Sequence, residues 1–246
     1  MKKNINKYRF PRRTLVRSIL KTLTNMMFFT LSDFAIIGKE NLPKEGPLLL
    51  VSNHFSFLDP LAVIKVSPWK LEFLGGTRTP NAPAATDWLR QMWGIIPVFR
   101  GSVSRDTFIA SESILAQKGV LCIFPEGGNW ATVLRPARPG VAFLAARTGA
   151  PILPVGLTGF DTFFHSLKKG KRPKVVASIG KLFGPIQLDV RGRSEREKLD
   201  GLGHEIMQEI AHLIPEEKRG FYSTNPDIRD AAKGTEIYPW ADIQES

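Results

Sequence analysis

His54 and Asp59, in the segment Asn53-His54-Phe55-Ser56-Phe57-Leu58-Asp59, are separated by four residues and together have the chemistry to move a proton. A neutral imidazole is the usual base near neutral pH. A carboxylate on its other ring nitrogen fixes the tautomer and stabilises the imidazolium as it forms, as in a serine hydrolase. If the substrate brings its own hydroxyl, no serine and no covalent intermediate are required. On a regular helix, five residues of advance would turn the two side chains about 140° apart. They can meet only if a turn precedes the helix, and Pro60 marks where a helix can begin. The same residues also allow a blander reading, in which Asp59 caps that helix and His54 is structural.

Three further segments contain groups suited to binding. Gly94-Ile95-Ile96-Pro97-Val98-Phe99-Arg100-Gly101 reads as a short apolar strand ending in an arginine. Arg100 is either a surface cation or a bidentate grip on a phosphate. Phe124-Pro125-Glu126-Gly127-Gly128-Asn129-Trp130 follows an apolar run. It is either a plain turn or a loop whose glycines let backbone approach a ligand, with Glu126 on a hydroxyl and the amides on a phosphate. Pro151-Ile152-Leu153-Pro154-Val155-Gly156-Leu157 reads as a buried strand with proline at its rim. The single cysteine, Cys122, lies in the apolar run VLCIF and reads as a buried, inert thiol. His165, His204 and His212 do not cluster with it, so no metal site is expected.

These residues need a scaffold, and the hydrophobic pattern describes one. Short apolar strands are expected at LLLVS, Leu71–Leu74, Gly94–Phe99, GVLCIF, PILPVGL and 174–180. Helices are expected after Pro60 and over 104–117, 139–149 and 194–213, with Gly149 as a C-terminal stop. Strands and helices alternate, so the class is α/β, with a mixed sheet flanked by helices. The expected organisation is a basic helical segment over 1–40, a central domain over 41–220 and an irregular extension over 221–246 that packs through Tyr238 and Trp240.

The chain carries a formal charge of +11, and eight cations from Lys2 to Lys21 precede the first acid, Asp33. Such a run attracts anionic lipid. Residues 13–31 read as an amphipathic helix, with Leu15, Val16, Ile19, Leu20, Leu23, Met26 and Met27 on one side and Arg13, Arg17 and Lys21 on another. It can lie in a headgroup plane, pack on the domain's own core, or do both. The apolar stretch 22–32 is well short of the ~20 residues needed to cross a bilayer. Peripheral association with the cytoplasmic face of a membrane is therefore expected. Nucleic-acid binding is not, because no recognition motif and no aromatic platform accompany the charge.

The segments NHFSFLD, GIIPVFR, FPEGG and PILPVGLTG occur in the order and at the spacing of the four blocks of the glycerophospholipid acyltransferase family. The chain resembles its 1-acylglycerol-3-phosphate acyltransferase branch over residues 48–160. The resemblance implies an α/β fold with a membrane-facing helical element. It implies His54 as general base oriented by Asp59, Arg100 on the acceptor's phosphate, Glu126, Gly127 and Gly128 around its glycerol, and Pro154 shaping the donor or acyl site. The implied partners are a lysophospholipid acceptor and acyl-CoA or acyl carrier protein as donor, with no cofactor. The family usually has Thr or Ser, and often Arg, after Glu-Gly, whereas this chain has Gly128, Asn129 and Trp130. Arg78, Arg135 or Arg138 could supply the missing cation. A non-catalytic lipid carrier would explain the basic N-terminus but not the conjunction of His54, Asp59 and Glu126. A hydrolase would use the same pair on water, but no Gly-x-Ser-x-Gly elbow occurs.

Overall fold

The computed structural model describes residues 8–76, 83, 87–98, 105–186 and 195–239. Its strands are β1 (Asp33–Ile37), β2 (Leu48–Ser52), β3 (Leu71–Gly76), β4 (Ile96–Val98), β5 (Val120–Ile123), β6 (Ile152–Thr158) and β7 (Lys174–Ile179). They form one sheet in the order β1-β7-β6-β2-β5-β3-β4. All neighbours are parallel except β6 and β7, so β1 and β7 run against the other five and the sheet is mixed, as expected.

The central strands are continuous apolar runs because both of their faces are covered. Every residue of β2 and of β5 is buried. Side chains alternate between two cores. Leu48, Leu50, Val120 and Cys122 face one side, beneath the helices α1 (Thr14–Leu31) and α2 (Asp59–Val66). Leu49, Val51, Leu121 and Ile123 face the other, beneath α4 (Arg105–Ala116), α5 (Pro139–Thr148) and α7 (Glu195–Ala211). Cys122 is buried, and burial pushes its thiol pKa well up, which leaves it inert. Gly149 ends α5 at a φ of 62°, with its N–H on Ala145 O.

Several elements depart from the sequence expectation. β1, α3 (Asp87–Trp93) and α6 (Phe163–Lys168) carry too little periodicity to be read in advance. β1 is a largely exposed edge strand, so neither face is marked by alternation. The tail is not irregular throughout, since α8 (Pro226–Ala232) forms within it. The Asn225 side chain caps α8 by accepting from Asp227 N at 2.9 Å, a start signal legible as Asn-Pro-Asp. Trp240 lies outside the described residues.

The polarity of α1 is the main correction. Arg17 turns inward, only 1% exposed, and grips Glu72 of β3 with bonds of 2.7 and 2.8 Å. Arg12 adds bonds of 3.2 and 2.5 Å to the same carboxylate, and Arg17 Nε donates to Trp93 O at 2.9 Å. Lys21 donates to Ser67 O, and Arg13 to the carbonyls of Gln91 and Met92. The cations expected to face headgroups therefore bind the protein itself. The apolar residues divide. Leu20 and Phe28 pack inward, while Leu15, Ile19, Leu23, Met26 and Phe29 form an outward stripe in which Leu15 is 74% and Phe29 79% exposed. A buried carboxylate on β3 outweighs the apolar pattern because an unpaired buried charge costs more than an exposed leucine.

Replacing Glu72 by Gln should leave two arginines facing a neutral group and cost about 3–5 kcal/mol. Lys118→Ala at the exposed pair with Glu45 should cost under about 1 kcal/mol. Urea denaturation of both variants measures the contrast.

Candidate active site

β2, β5 and β6 are adjacent and parallel, so the chain leaves all three at the same edge of the sheet. That edge is where open α/β sheets carry their sites. Residues after β2 supply His54 and Asp59, and residues after β5 supply Glu126. The segment between β2 and α2 is a turn, as the side-chain geometry demanded, and α2 begins at Asp59 with Pro60 next.

Asp59 is 1% exposed. Its Oδ2 accepts from His54 Nδ1 at 3.0 Å and from the amides of Phe55 and Ser56 at 2.7 Å each. The carboxylate therefore does not cap its own helix. It closes the preceding turn and holds the imidazole with the same oxygen, while Oδ1 is buried without a partner among the described residues. Burial raises the Asp59 carboxyl pKa, and the His54 ring and the two amides pull it back. The His54 ring stacks on Phe124 with centroids 4.2 Å apart and stays 16% exposed. Its Nε2 makes no hydrogen bond among the described residues, so the nitrogen opposite Asp59 is available to a reactant. Asn53, a residue to which no sequence signal pointed, fixes the turn from below. It accepts from Leu157 N at 2.7 Å and donates to Leu157 O at 2.9 Å, the pattern of a strand residue made by a side chain.

Glu126 differs from expectation. It is 1% exposed, with one oxygen accepting from His54 N at 2.8 Å and the other from Arg135 Nε at 3.0 Å. Both oxygens are thus bonded inside the protein, one of them to the His54 backbone. Gly127 has φ 79°, which the turn itself requires, and Gly128 O accepts from Arg135. Pro154 is buried within β6, in register with Val51 and against Gly180. Arg100 and Arg78 lie outside the described residues.

A family model described as Acyltransferase matches residues 33–158, just over half of the chain. The chain belongs to the acyltransferase family. It is 30% identical over 152 residues to a chloroplastic 1-acyl-sn-glycerol-3-phosphate acyltransferase of Brassica napus, covering 60% of this chain and 44% of that protein. It is 29% identical over 132 residues to a 1-acyl-sn-glycerol-3-phosphate acyltransferase of Borreliella burgdorferi, covering 52% of each. The chain thus spans about half the length of the curated relatives it matches. The crystal structure of the 1-acyl-sn-glycerophosphate acyltransferase PlsC from Thermotoga maritima superposes with a TM-score of 0.55 at 24% identity, over 79% of this chain and 77% of that one, which establishes the shared fold.

Of the downstream cations, Arg135 comes back to the Glu-Gly loop. Arg135, 1% exposed and nine residues beyond Glu126, pairs with that carboxylate and stacks 3.8 Å from the Trp130 ring centroid. Trp130 is held in turn by Nε1 donating to Thr235 O at 2.8 Å and by the Tyr238 ring at 5.3 Å. Arg138 N donates to Pro125 O at 2.8 Å and closes the loop. Around the departure at 128–130 the structure thus gathers Arg135, Trp130 and the tail.

Burial pushes the Glu126 carboxyl pKa up to about 7, against the opposing pull of Arg135 and the amides of His54 and Arg135. A carboxyl with a higher pKa folded than unfolded binds more protons in the native state between the two values. Its contribution to stability is therefore complete below about 4.5 and is lost as pH rises to about 7. The stability of wild type relative to Glu126→Gln should fall across that window and level off above it, as denaturation midpoints at a series of pH values would register. Glu126→Leu or Arg135→Met alone should cost about 3–5 kcal/mol, and the double variant should recover most of it. Acyl transfer should not recover with it, because the His54 amide has lost its acceptor.

Proposed function

We propose that this chain is an O-acyltransferase that moves a fatty acyl group from acyl-CoA or acyl carrier protein to the hydroxyl of a lysophospholipid, with 1-acyl-glycerol-3-phosphate as the first acceptor to test. The observation that carries this reading is the His54–Asp59 pair, 3.0 Å apart with the outer ring nitrogen unbonded among the described residues. The names of the relatives support the acceptor.

The reaction follows from the geometry. The acceptor oxygen attacks the thioester carbon while His54 Nε2 takes its proton, and Asp59 stabilises the imidazolium through Nδ1. The tetrahedral adduct then collapses, the carbon–sulfur bond breaks, and the departing thiolate takes the proton from His54. Every proton is returned, so no cofactor is needed beyond the thioester co-substrate. Arg100 is assigned to the acceptor's phosphate by resemblance, and Glu126 to holding the base in place.

The work site is the cytoplasmic face of an anionic membrane. Support comes from the chain's net charge of +11, which suits the negatively charged cytoplasmic leaflet, and from the apolar stripe that α1 turns outward. Among the described residues no helix is long and apolar enough to cross a membrane, so the proposed association is peripheral.

His54→Ala should lower acceptor-dependent thiol release by about 10²–10⁴-fold with an unchanged melting curve. Asp59→Asn should lower it on a similar scale, because the amide acceptor survives but the charge facing the imidazolium does not. Full activity in His54→Ala would end the assignment of the base. Failure of the wild type to release thiol with any lysolipid and either donor would favour a carrier.

A further inference from the structure

An open groove of about 510 Å³ runs between the end of α1 and the β1–β7 edge of the sheet. None of its lining residues belongs to the His54 turn, and its volume lies in the range of small-molecule sites. Buried Phe28, exposed Phe29 and half-buried Phe34 make an apolar floor, and Lys65, Arg172 and Lys174 stand around it. Among the described residues the only acid lining the groove is Asp33, already bound by Arg172 Nε at 3.0 Å. Arg172 also donates to the carbonyls of Phe29 and Ser32, which fixes the guanidinium at the C-terminal end of α1.

Lys65 comes from the last turn of α2 and places its ammonium 5.2 Å from the Phe34 ring centroid, with no acidic partner among the described residues. Burial lowers its pKa, as for a cation lacking its counter-ion. Beside the groove, Lys168, Lys169 and Lys171 are exposed and likewise without acidic partners among the described residues. Phe29 belongs both to this floor and to the outward stripe of α1, so the apolar and cationic surfaces are continuous.

We propose that this groove binds an anionic phospholipid of the membrane, its phosphate held by Lys65, Arg172 and Lys174 and the start of an acyl chain lying on Phe29 and Phe34. The inference rests on the reading of the chain as an enzyme working on a lipid surface, and it assigns a lipid site separate from the catalytic one. An apolar floor that opens onto an exposed apolar stripe suits a lipid and not a nucleic acid or an acidic protein, which would meet the cations without using the floor. Aromatic contacts connect this surface to the catalytic turn. Phe28 lies edge-on to Phe163 at 6.3 Å, Phe163 meets Phe164 at 5.5 Å, and Phe164 stacks on Phe57 of the His54 turn at 5.6 Å. Docking here would bring that turn towards the bilayer.

The test is binding of the chain to phosphatidylcholine vesicles with and without phosphatidylglycerol. Wild type should prefer the anionic vesicles, and the preference should weaken with salt. Lys65→Gln/Lys174→Gln should lose about fivefold of that preference for each lysine removed, whereas Lys65→Arg/Lys174→Arg should keep it. His54→Ala should lose acyl transfer and keep the preference, which separates failure of this inference from failure of the catalytic reading. No preference in wild type would overturn the site without needing any variant. An undiminished preference in the folded glutamine variant would also overturn it. So would a loss seen only in Lys168→Gln/Lys169→Gln/Lys171→Gln, which would indicate a diffuse basic surface. Binding to acidic protein but not to anionic vesicles would overturn it in favour of a carrier-protein contact.

Discussion

The two oxygens of Glu126 hold together segments that the sequence keeps far apart. One oxygen takes the His54 amide, 72 residues upstream, and the other takes the Arg135 guanidinium. The carboxylate sits at the end of β5 because β5 is paired with β2, and the pairing in register delivers the two strand ends side by side. In such a dry place a carboxylate is costly unless bonded at both oxygens. The position of His54 therefore depends on a pair that itself depends on the Trp130 clamp and the tail. The loop after β5 lies beneath the His54 turn and supports it.

Asp59 works through a single oxygen, its other one buried and without a partner among the described residues. The bonded oxygen gathers two backbone amides and the imidazole, so closing the turn and aligning the ring are one event. Asn53 and Glu126 hold the main chain on either side. A reactive side chain needs such support, because a misaligned group loses much of its advantage.

Charge is also what orients α1. Glu72 captures Arg17 and Arg12, and the helix rolls so that the cations it was expected to show to lipid lie underneath, while apolar side chains face outward. Outward apolar surface on this scale marks an interaction site. The cations beside that surface come from elsewhere in the chain, from α2 and from the segment leading into β7.

The sequence alone determined the alternation of strands and helices, the turn that must separate His54 from Asp59, and the burial of Cys122. These follow from local rules: apolar runs bounded by turn residues, proline at a helix start, and the angular step of a helix. The resemblance of four ordered segments indicated the family, and the family match agrees. The tertiary structure alone decided which face of α1 looks outward, that Glu126 turns inward, and that Arg135 pairs with it. Pro154 stood in a recognisable segment, yet its burial in β6 depends on neighbours on both sides. In each of these cases the deciding partner lies many residues away, and the free energy of a buried charge is fixed by what surrounds it in space, which no local pattern of residues records.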